Sequence, residues 1–417
     1  MSKIVIHGGR PLNGSVSVQG AKNSVLPILA ATILSGKESV IEGCPDLNDV
    51  NYSIQILKYL GCKVKKEGST ITVDSSTLKN SSIPDELMCK MRSSITFLGP
   101  ITARCGRAYM CSPGGCELGP RPIDLHIKAL GKMGAEVKEY GGHVETTAPG
   151  LVGRDLHLDF PSVGATENIM MAATLARGTT IITNAAKEPE IIDLQNFLVK
   201  MGAKIRGAGS DVIVIEGVTA LSPVTHRIIP DRIVAATYLC AAAMTGGKAE
   251  LKNVKPGHIR AVLSALKDAG AAVISRKNSL LVTAGSRLLP IDILRTLPYP
   301  GFPTDAQALL TAMLSVADGT SIVVESIFEN RFRHCPELCK MGANIKAHGN
   351  VAVIKGVKNL VGAEVTAAEL RGGAALTVAG VAAKDTTIVH GTEYIHRGYS
   401  DIVGDLRCLG ADITEEW

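Results

Sequence analysis

An α/β protein of two domains, built from six copies of one βαβαββ unit with three copies in each domain, is what this 417-residue sequence predicts. Two recurring features carry the prediction. The first is an amphipathic stretch that ends in Gly and runs straight into a short strand. The second is an Ala- and Leu-rich apolar stretch about 40 residues before each such Gly.

The Gly phrase occurs as Leu60-Gly61-Cys62-Lys63-Val64, Met133-Gly134-Ala135-Glu136-Val137 and Met201-Gly202-Ala203-Lys204-Ile205. It returns as Ala269-Gly270-Ala271-Ala272-Val273, Met341-Gly342-Ala343-Asn344-Ile345 and Leu409-Gly410-Ala411-Asp412-Ile413. The glycines are 73, 68, 68, 72 and 68 residues apart, a fixed period that marks an internal repeat. Each Gly reads as a helix C-cap whose positive φ turns the chain out of the helix. The apolar stretches Leu26–Leu34, Ile169–Ala176, Ile233–Met244, Leu309–Val316 and Leu376–Ala383 are apolar all round, which marks buried helices. β-Branched runs such as Thr179-Thr180-Ile181-Ile182 follow them as strands. Six units divide as three plus three, with domains expected at 22–229 and at 1–21 with 230–417.

Composition excludes several classes of function. The 44 Lys+Arg against 39 Asp+Glu leave a formal charge of +5 without a run of like charges, and aromatic residues are 4% of the chain. Neither a basic tail nor a base-stacking platform is indicated, so no nucleic-acid partner is expected. The longest uncharged stretch, Ile233 to Gly247, is too short to span a bilayer and reads as a core helix. The first residues read as a strand without the apolar run of a secretory signal, and the mature protein is expected to begin there. Ten cysteines without CxxC or Cys/His metal spacing suggest reduced thiols in a cytoplasmic protein.

Equivalent loop positions, 36 to 42 residues before each capping Gly, hold Lys22-Asn23, Arg92, Ala165-Thr166, Asp231-Arg232, Thr304-Asp305 and Arg371. Four of the six copies thus place a cation where a helix begins, and helix N-termini already attract anions. Two lobes facing each other would form a positive cleft for phosphate or carboxylate substrates. Asp305 is the exception, read either as an N-cap or as a general base. A second set of arginines, Arg121, Arg331 and Arg397 with Arg260 as a weaker member, precedes the outer helices. The Gly/Pro-punctuated stretch Ser112–Pro122 carries Cys116 beside Arg121 and reads as a mobile lid with a thiol that neighbouring cations would activate.

Gly20-Ala21-Lys22-Asn23-Ser24, Pro113-Gly114-Gly115-Cys116 with Arg121-Pro122-Ile123-Asp124-Leu125-His126, Ser162–Asn168, Tyr299–Asp305 and Glu329-Asn330-Arg331-Phe332 carry a resemblance that covers essentially the whole chain. It resembles the UDP-N-acetylglucosamine 1-carboxyvinyltransferases, enolpyruvyl transferases of peptidoglycan synthesis that fosfomycin inactivates. The resemblance implies a two-domain inside-out α/β barrel. It also implies transfer of enolpyruvyl from phosphoenolpyruvate to the 3′-hydroxyl of UDP-N-acetylglucosamine, without metal or other cofactor, by a cytoplasmic monomer. Lys22, Arg121 and Arg397 would then hold phosphoenolpyruvate, while Arg92, Arg331 and Arg371 keep the site electropositive. Asn23 would orient the substrates, Asp305 would accept the hydroxyl proton, and Cys116 would be the proton donor or thioether-forming residue and the fosfomycin target. Pro122, Ile123, Asp124, Leu125, Ser162, Val163 and Gly164 would hold the nucleotide sugar, with Ile327 and Phe328 beside it.

Two positions depart from the family pattern: Glu117 follows the cysteine where a small or apolar residue is common, and Glu369 stands two residues before Arg371 where Asp is usual. The sister enzyme that uses shikimate 3-phosphate, and a catalytically silent nucleotide-sugar-binding duplicate, remain the alternatives.

Overall fold

The computed structural model describes residues 2–113, 123–285 and 287–417. Two compact units emerge, one of residues 2–19 with 230–417 and one of residues 20–113 with 123–229. Each has its own apolar core. Six sheets are formed among the described residues, five of four strands and one of three.

All six predicted capping glycines lie at positive φ, between +87° and +103°. The residue after each donates its N–H five residues back, to Leu57, Leu130, Leu198, Leu266, Leu338 and Leu406, at 2.9–3.1 Å. This pattern satisfies carbonyls that a helix end would otherwise leave without donors, and then releases the chain into a strand.

Three buried helices pack against one another in the unit that contains residues 230–417: Arg232–Met244, Gln307–Leu314 and Leu370–Ala382. Every residue of the first two is buried. The corresponding helices of the other unit are Lys22–Ala31, Leu98–Cys105 and Val163–Thr174. Their small residues allow close approach. A Cβ on Gly99 would lie 2.4 Å from the carbonyl oxygen of Asn168, and the Gly99 N–H donates to the Asn168 side chain at 2.6 Å.

The structure refines the predicted repeat in three places. The buried helices begin one to six residues earlier than their apolar stretches, because Lys22, Arg232 and Arg371 are helical although polar. Arg92 opens a tight 3-10 turn, Arg92–Phe97, rather than an α-helix. The three-stranded sheet belongs to the same copy, where the place of the fourth strand is taken by a single parallel pairing of Ser82 with Tyr109, and Pro84 stops its extension. Two copies draw their outer strand from far along the chain: Asn13–Ser17 pairs in parallel with Lys248–Lys252, and Val224–Arg227 with Glu38–Glu42.

Because the caps require left-handed backbone, Gly342→Ala should lower unfolding stability by about 1–2 kcal/mol although its Cβ would meet nothing nearer than 3.7 Å. Gly131→Ala, inside helix Asp124–Lys132 and with open space around its Cβ, should instead raise stability by about 0.5–1 kcal/mol. Urea denaturation of the two variants checks the opposite signs.

Candidate functional site

Asp305 lies in the 3-10 turn Thr304–Ala306 at the start of a buried helix. It does not act as a cap: no side chain caps the turn or the helix after it. Its Oδ1 instead accepts from Arg331 Nη2 at 3.2 Å and from Arg371 Nε at 3.1 Å. Burial alone would raise the Asp305 carboxyl, but the guanidinia of Arg371, Arg331 and Arg232 outweigh it and hold the group well below the usual carboxylate range. Both paired arginine side chains are almost fully buried, whereas Asp305 keeps 29% of its side chain exposed. Arg331 Nε and Arg371 Nη1 are buried and have no hydrogen-bond partner among the described residues.

Glu369 lies 3.7 Å from Arg331 Nη1, and its carboxylate caps helix Leu370–Ala382 by accepting from the backbone N–H groups of Arg371 and Gly372. The longer side chain therefore serves the helix end, and Arg371 is held by Asp305. Glu325, which no spacing rule singles out, is a further organiser. It is 1% exposed and accepts from Thr296 Oγ1, Thr304 Oγ1 and the N–H groups of Ile327 and Phe328 at 2.8–3.1 Å. It thereby ties the Asp305 turn to Ile327 and Phe328, and Arg331 stands over the Phe328 ring at 5.6 Å. Arg397, half-buried, follows the short helix Thr392–Ile395, which packs on the Arg371 helix.

In the other unit Lys22 opens helix Lys22–Ala31 and is paired. Its Nζ is 2.7 Å from Asp49 Oδ2 and both side chains are buried. Asn23 beside it is half-buried. The helix has no capping side chain, and Asp193 of a neighbouring helix ties its first turn to the strand region behind it by accepting from Ser24 Oγ (2.5 Å), His226 Nε2 (3.0 Å) and Ile229 N (3.3 Å). Arg92 is half-buried and donates from Nη1 to the Pro113 carbonyl at 3.3 Å.

Of the residues expected to hold a nucleotide sugar, six lie at two helix beginnings of this unit. Ile123, Asp124 and Leu125 start helix Asp124–Lys132. Ser162 caps helix Val163–Thr174, with its Oγ accepting from Ala165 N, and Val163 and Gly164 form the first turn. His126 joins the two: a Cβ on Gly164 would lie 3.3 Å from its ring, and Asn168 donates to its Nδ1 at 2.8 Å. Burial, reinforced by Arg92, pushes the His126 imidazole down to about 4, so the ring is neutral at neutral pH with the proton on Nε2. Glu167 on the same helix is buried, and burial together with Glu190 and Glu188 holds its carboxyl well above the usual range. Cys116, Arg121 and Pro122 lie outside the described residues.

Comparison with known proteins decides the family. A family model described as EPSP synthase (3-phosphoshikimate 1-carboxyvinyltransferase) matches residues 6–406. The curated UDP-N-acetylglucosamine 1-carboxyvinyltransferase 2 of Caldanaerobacter subterraneus subsp. tengcongensis is 53% identical, over 99% of both chains. Its counterpart from Clostridium tetani is 48% identical over 99% of both. The chain belongs to the UDP-N-acetylglucosamine 1-carboxyvinyltransferase family. Among solved structures, the enolpyruvyl transferase NikO from Streptomyces tendae superposes with a TM-score of 0.89 at 25% identity, covering 99% of this chain and 98% of that one. EPSP synthase from Acinetobacter baumannii shares the fold, with a TM-score of 0.77 at 19% identity and full coverage of both. Family membership makes this chain an enolpyruvyl transferase by descent as well as by fold.

Glu325→Ala would leave two hydroxyls and two backbone N–H groups without their acceptor, so unfolding stability should fall by roughly 3 kcal/mol or more, while Glu67→Ala, in an exposed pair with Lys65, should change it by less than about 1 kcal/mol. Chemical denaturation of both variants checks the contrast.

Proposed function

We propose that this chain transfers the enolpyruvyl group of phosphoenolpyruvate to the 3′-hydroxyl of UDP-N-acetylglucosamine and releases phosphate, as a cytoplasmic monomer serving peptidoglycan synthesis. The observation that carries the reading is identity of 46–53% over nearly the whole chain to curated enzymes of that name, against 19% to an EPSP synthase of the same fold. No helix among the described residues is long and apolar enough to cross a membrane.

In this reading Lys22, Arg121 and Arg397 hold phosphoenolpyruvate. Arg92, Arg331 and Arg371 keep the surroundings positive, and the buried donors Arg331 Nε and Arg371 Nη1 suit an anion. The nucleotide sugar is held by Pro122, Ile123, Asp124, Leu125, Ser162, Val163 and Gly164, with Ile327 and Phe328 alongside, and Asn23 orients the reacting groups. Asp305 takes the 3′-hydroxyl proton as that oxygen attacks C2 of phosphoenolpyruvate, and Cys116 gives a proton to C3. The tetrahedral adduct then expels phosphate while C3 loses a proton. Preorganised cations stabilise the anionic groups flanking the reacting carbon throughout.

A carboxylate gripped by two guanidinia is a weak base. An anionic substrate that draws Arg371 or Arg331 toward itself frees Oδ1 and raises the proton affinity of Asp305. The same sign governs stability. Because the folded-state value is depressed, the stabilisation is complete above the unfolded value of about 3.9 and is lost as pH falls toward the folded one. In Arg371→Gln the acid limb of kcat/KM for the acceptor should move upward by about one pH unit or more, with the fold verified by circular dichroism. An unmoved limb would remove Asp305 from the proton transfer.

Phosphate release should require phosphoenolpyruvate with UDP-N-acetylglucosamine and should be absent with shikimate 3-phosphate. Release only with shikimate 3-phosphate would overturn the acceptor assignment, and none with either would favour a silent duplicate. Cys116→Ser should lose most of the activity. Fosfomycin should label Cys116 alone, at a rate slowed by Glu117, whose charge disfavours the thiolate. Peptide mass mapping reads the site, and a label on any other cysteine contradicts the assignment.

A further inference from the structure

Phe160 is the one exposed phenylalanine among the described residues, with 44% of its surface open to solvent, whereas Phe97, Phe197, Phe302 and Phe332 are buried and Phe328 is half-buried. It lies in the connection between strand Asp155–His157 and helix Val163–Thr174, and that connection is held on both sides. Leu158 N donates to Thr183 O at 3.1 Å, and Leu158 O accepts from Asn184 Nδ2 at 2.7 Å. Asp159 Oδ2 accepts from Lys128 Nζ of helix Asp124–Lys132 at 2.8 Å. Phe160 O accepts from Ser162 N at 2.7 Å, and Ser162 Oγ accepts from Ala165 N at 3.3 Å, so the turn runs directly into the helix cap. The segment is thus tied to both helices whose beginnings are assigned above to the nucleotide sugar, and it leaves a large apolar ring in water.

We infer that Phe160 is a specificity-determining residue whose ring stacks on the nucleobase of the acceptor; the inference rests on the acceptor proposed above and adds the contact that reads its base. A nucleotide sugar consists of base, ribose, diphosphate and amino sugar, and only the base offers a flat π-face to match a phenyl ring. In the proposed function Ser162, Val163 and Gly164 hold the nucleotide sugar, and a helix beginning suits its phosphate oxygens. Phe160 precedes the capping Ser162 by two residues, which span at most about 7 Å, the scale of the ribose that separates a base from its first phosphate. Base and diphosphate can therefore engage the ring and the helix start together. Because the anchoring bonds already fix the turn, binding orders little chain, and the stacking is realised as affinity. Every base has such a face, so the contact favours a nucleoside diphosphate sugar over a bare sugar phosphate.

The test uses the full-length chain and combines steady-state transfer to UDP-N-acetylglucosamine with calorimetric titration of uridine diphosphate. Phe160→Leu keeps an apolar side chain but loses the ring, so KM for the nucleotide sugar and Kd for uridine diphosphate should both rise about tenfold. The kcat and the KM for phosphoenolpyruvate should stay within about twofold, and Phe160→Tyr should restore the unaltered KM and Kd. An exposed ring with a merely structural role would move neither KM nor Kd. A second readout places Phe160→Trp in a chain whose single Trp is removed by Trp417→Phe. Its fluorescence should be quenched by uridine diphosphate and not by N-acetylglucosamine 1-phosphate. An unchanged KM and Kd in Phe160→Leu, or an indole that uridine diphosphate leaves unquenched, would overturn the inference while the acceptor assignment stands. Absence of transfer to UDP-N-acetylglucosamine by the unaltered chain would instead remove the acceptor reading, and the inference with it.

Discussion

Charge buried at the beginnings of apolar helices is the constraint on which the candidate site rests. A scaffold whose central helices are buried and mainly apolar offers little to solvate an ion, so a buried charge is held by a partner or, as at Glu167, suppressed. Asp305 is matched by Arg331 and Arg371, Lys22 by Asp49, and Asp193 by His226, Ser24 and Ile229 N. The proposed function uses this balance: an added anion would compete with Asp305 for guanidinium donors, and the carboxylate would become a better base as it lost them.

The repeat supplies the rigidity that this requires. Each left-handed Gly closes a helix and starts a strand at the same point of every copy, so the buried helices are presented alike in both units. The polar differences among the copies include their first residues. Where one copy has Thr304-Asp305, another has Arg371 with Glu369 as cap, and a third has Ser162 capping a turn that ends in Gly164.

Much of this was legible in the chain itself. The six glycines and their spacing report backbone conformation directly, since few other residues tolerate that φ. The apolar stretches located the buried helices but not their starts, because Lys22, Arg232 and Arg371 are polar yet helical, and apolar periodicity ends where the functional residues begin. Partners were the least legible. Asp49 lies 27 residues from Lys22 and Glu325 lies 20 residues from Asp305, and pairing through tertiary contact leaves no spacing rule in sequence. The sequence singles out Asp305 as an acid among cations, but only coordinates show that two of those cations share one of its oxygens. The family motifs named Cys116, Arg121 and Pro122, and those assignments rest on the sequence pattern alone.

The central claim, that the arginines hold Asp305 ionised until an anion competes for them, is tested most directly by carboxyl-carbon NMR of the ligand-free protein, with the Asp305 signal assigned from Asp305→Asn. The account predicts that this resonance stays at its ionised position from pH 6 down to about 3, below the usual Asp midpoint of about 3.9. A titration midpoint at or above about pH 4 would contradict it.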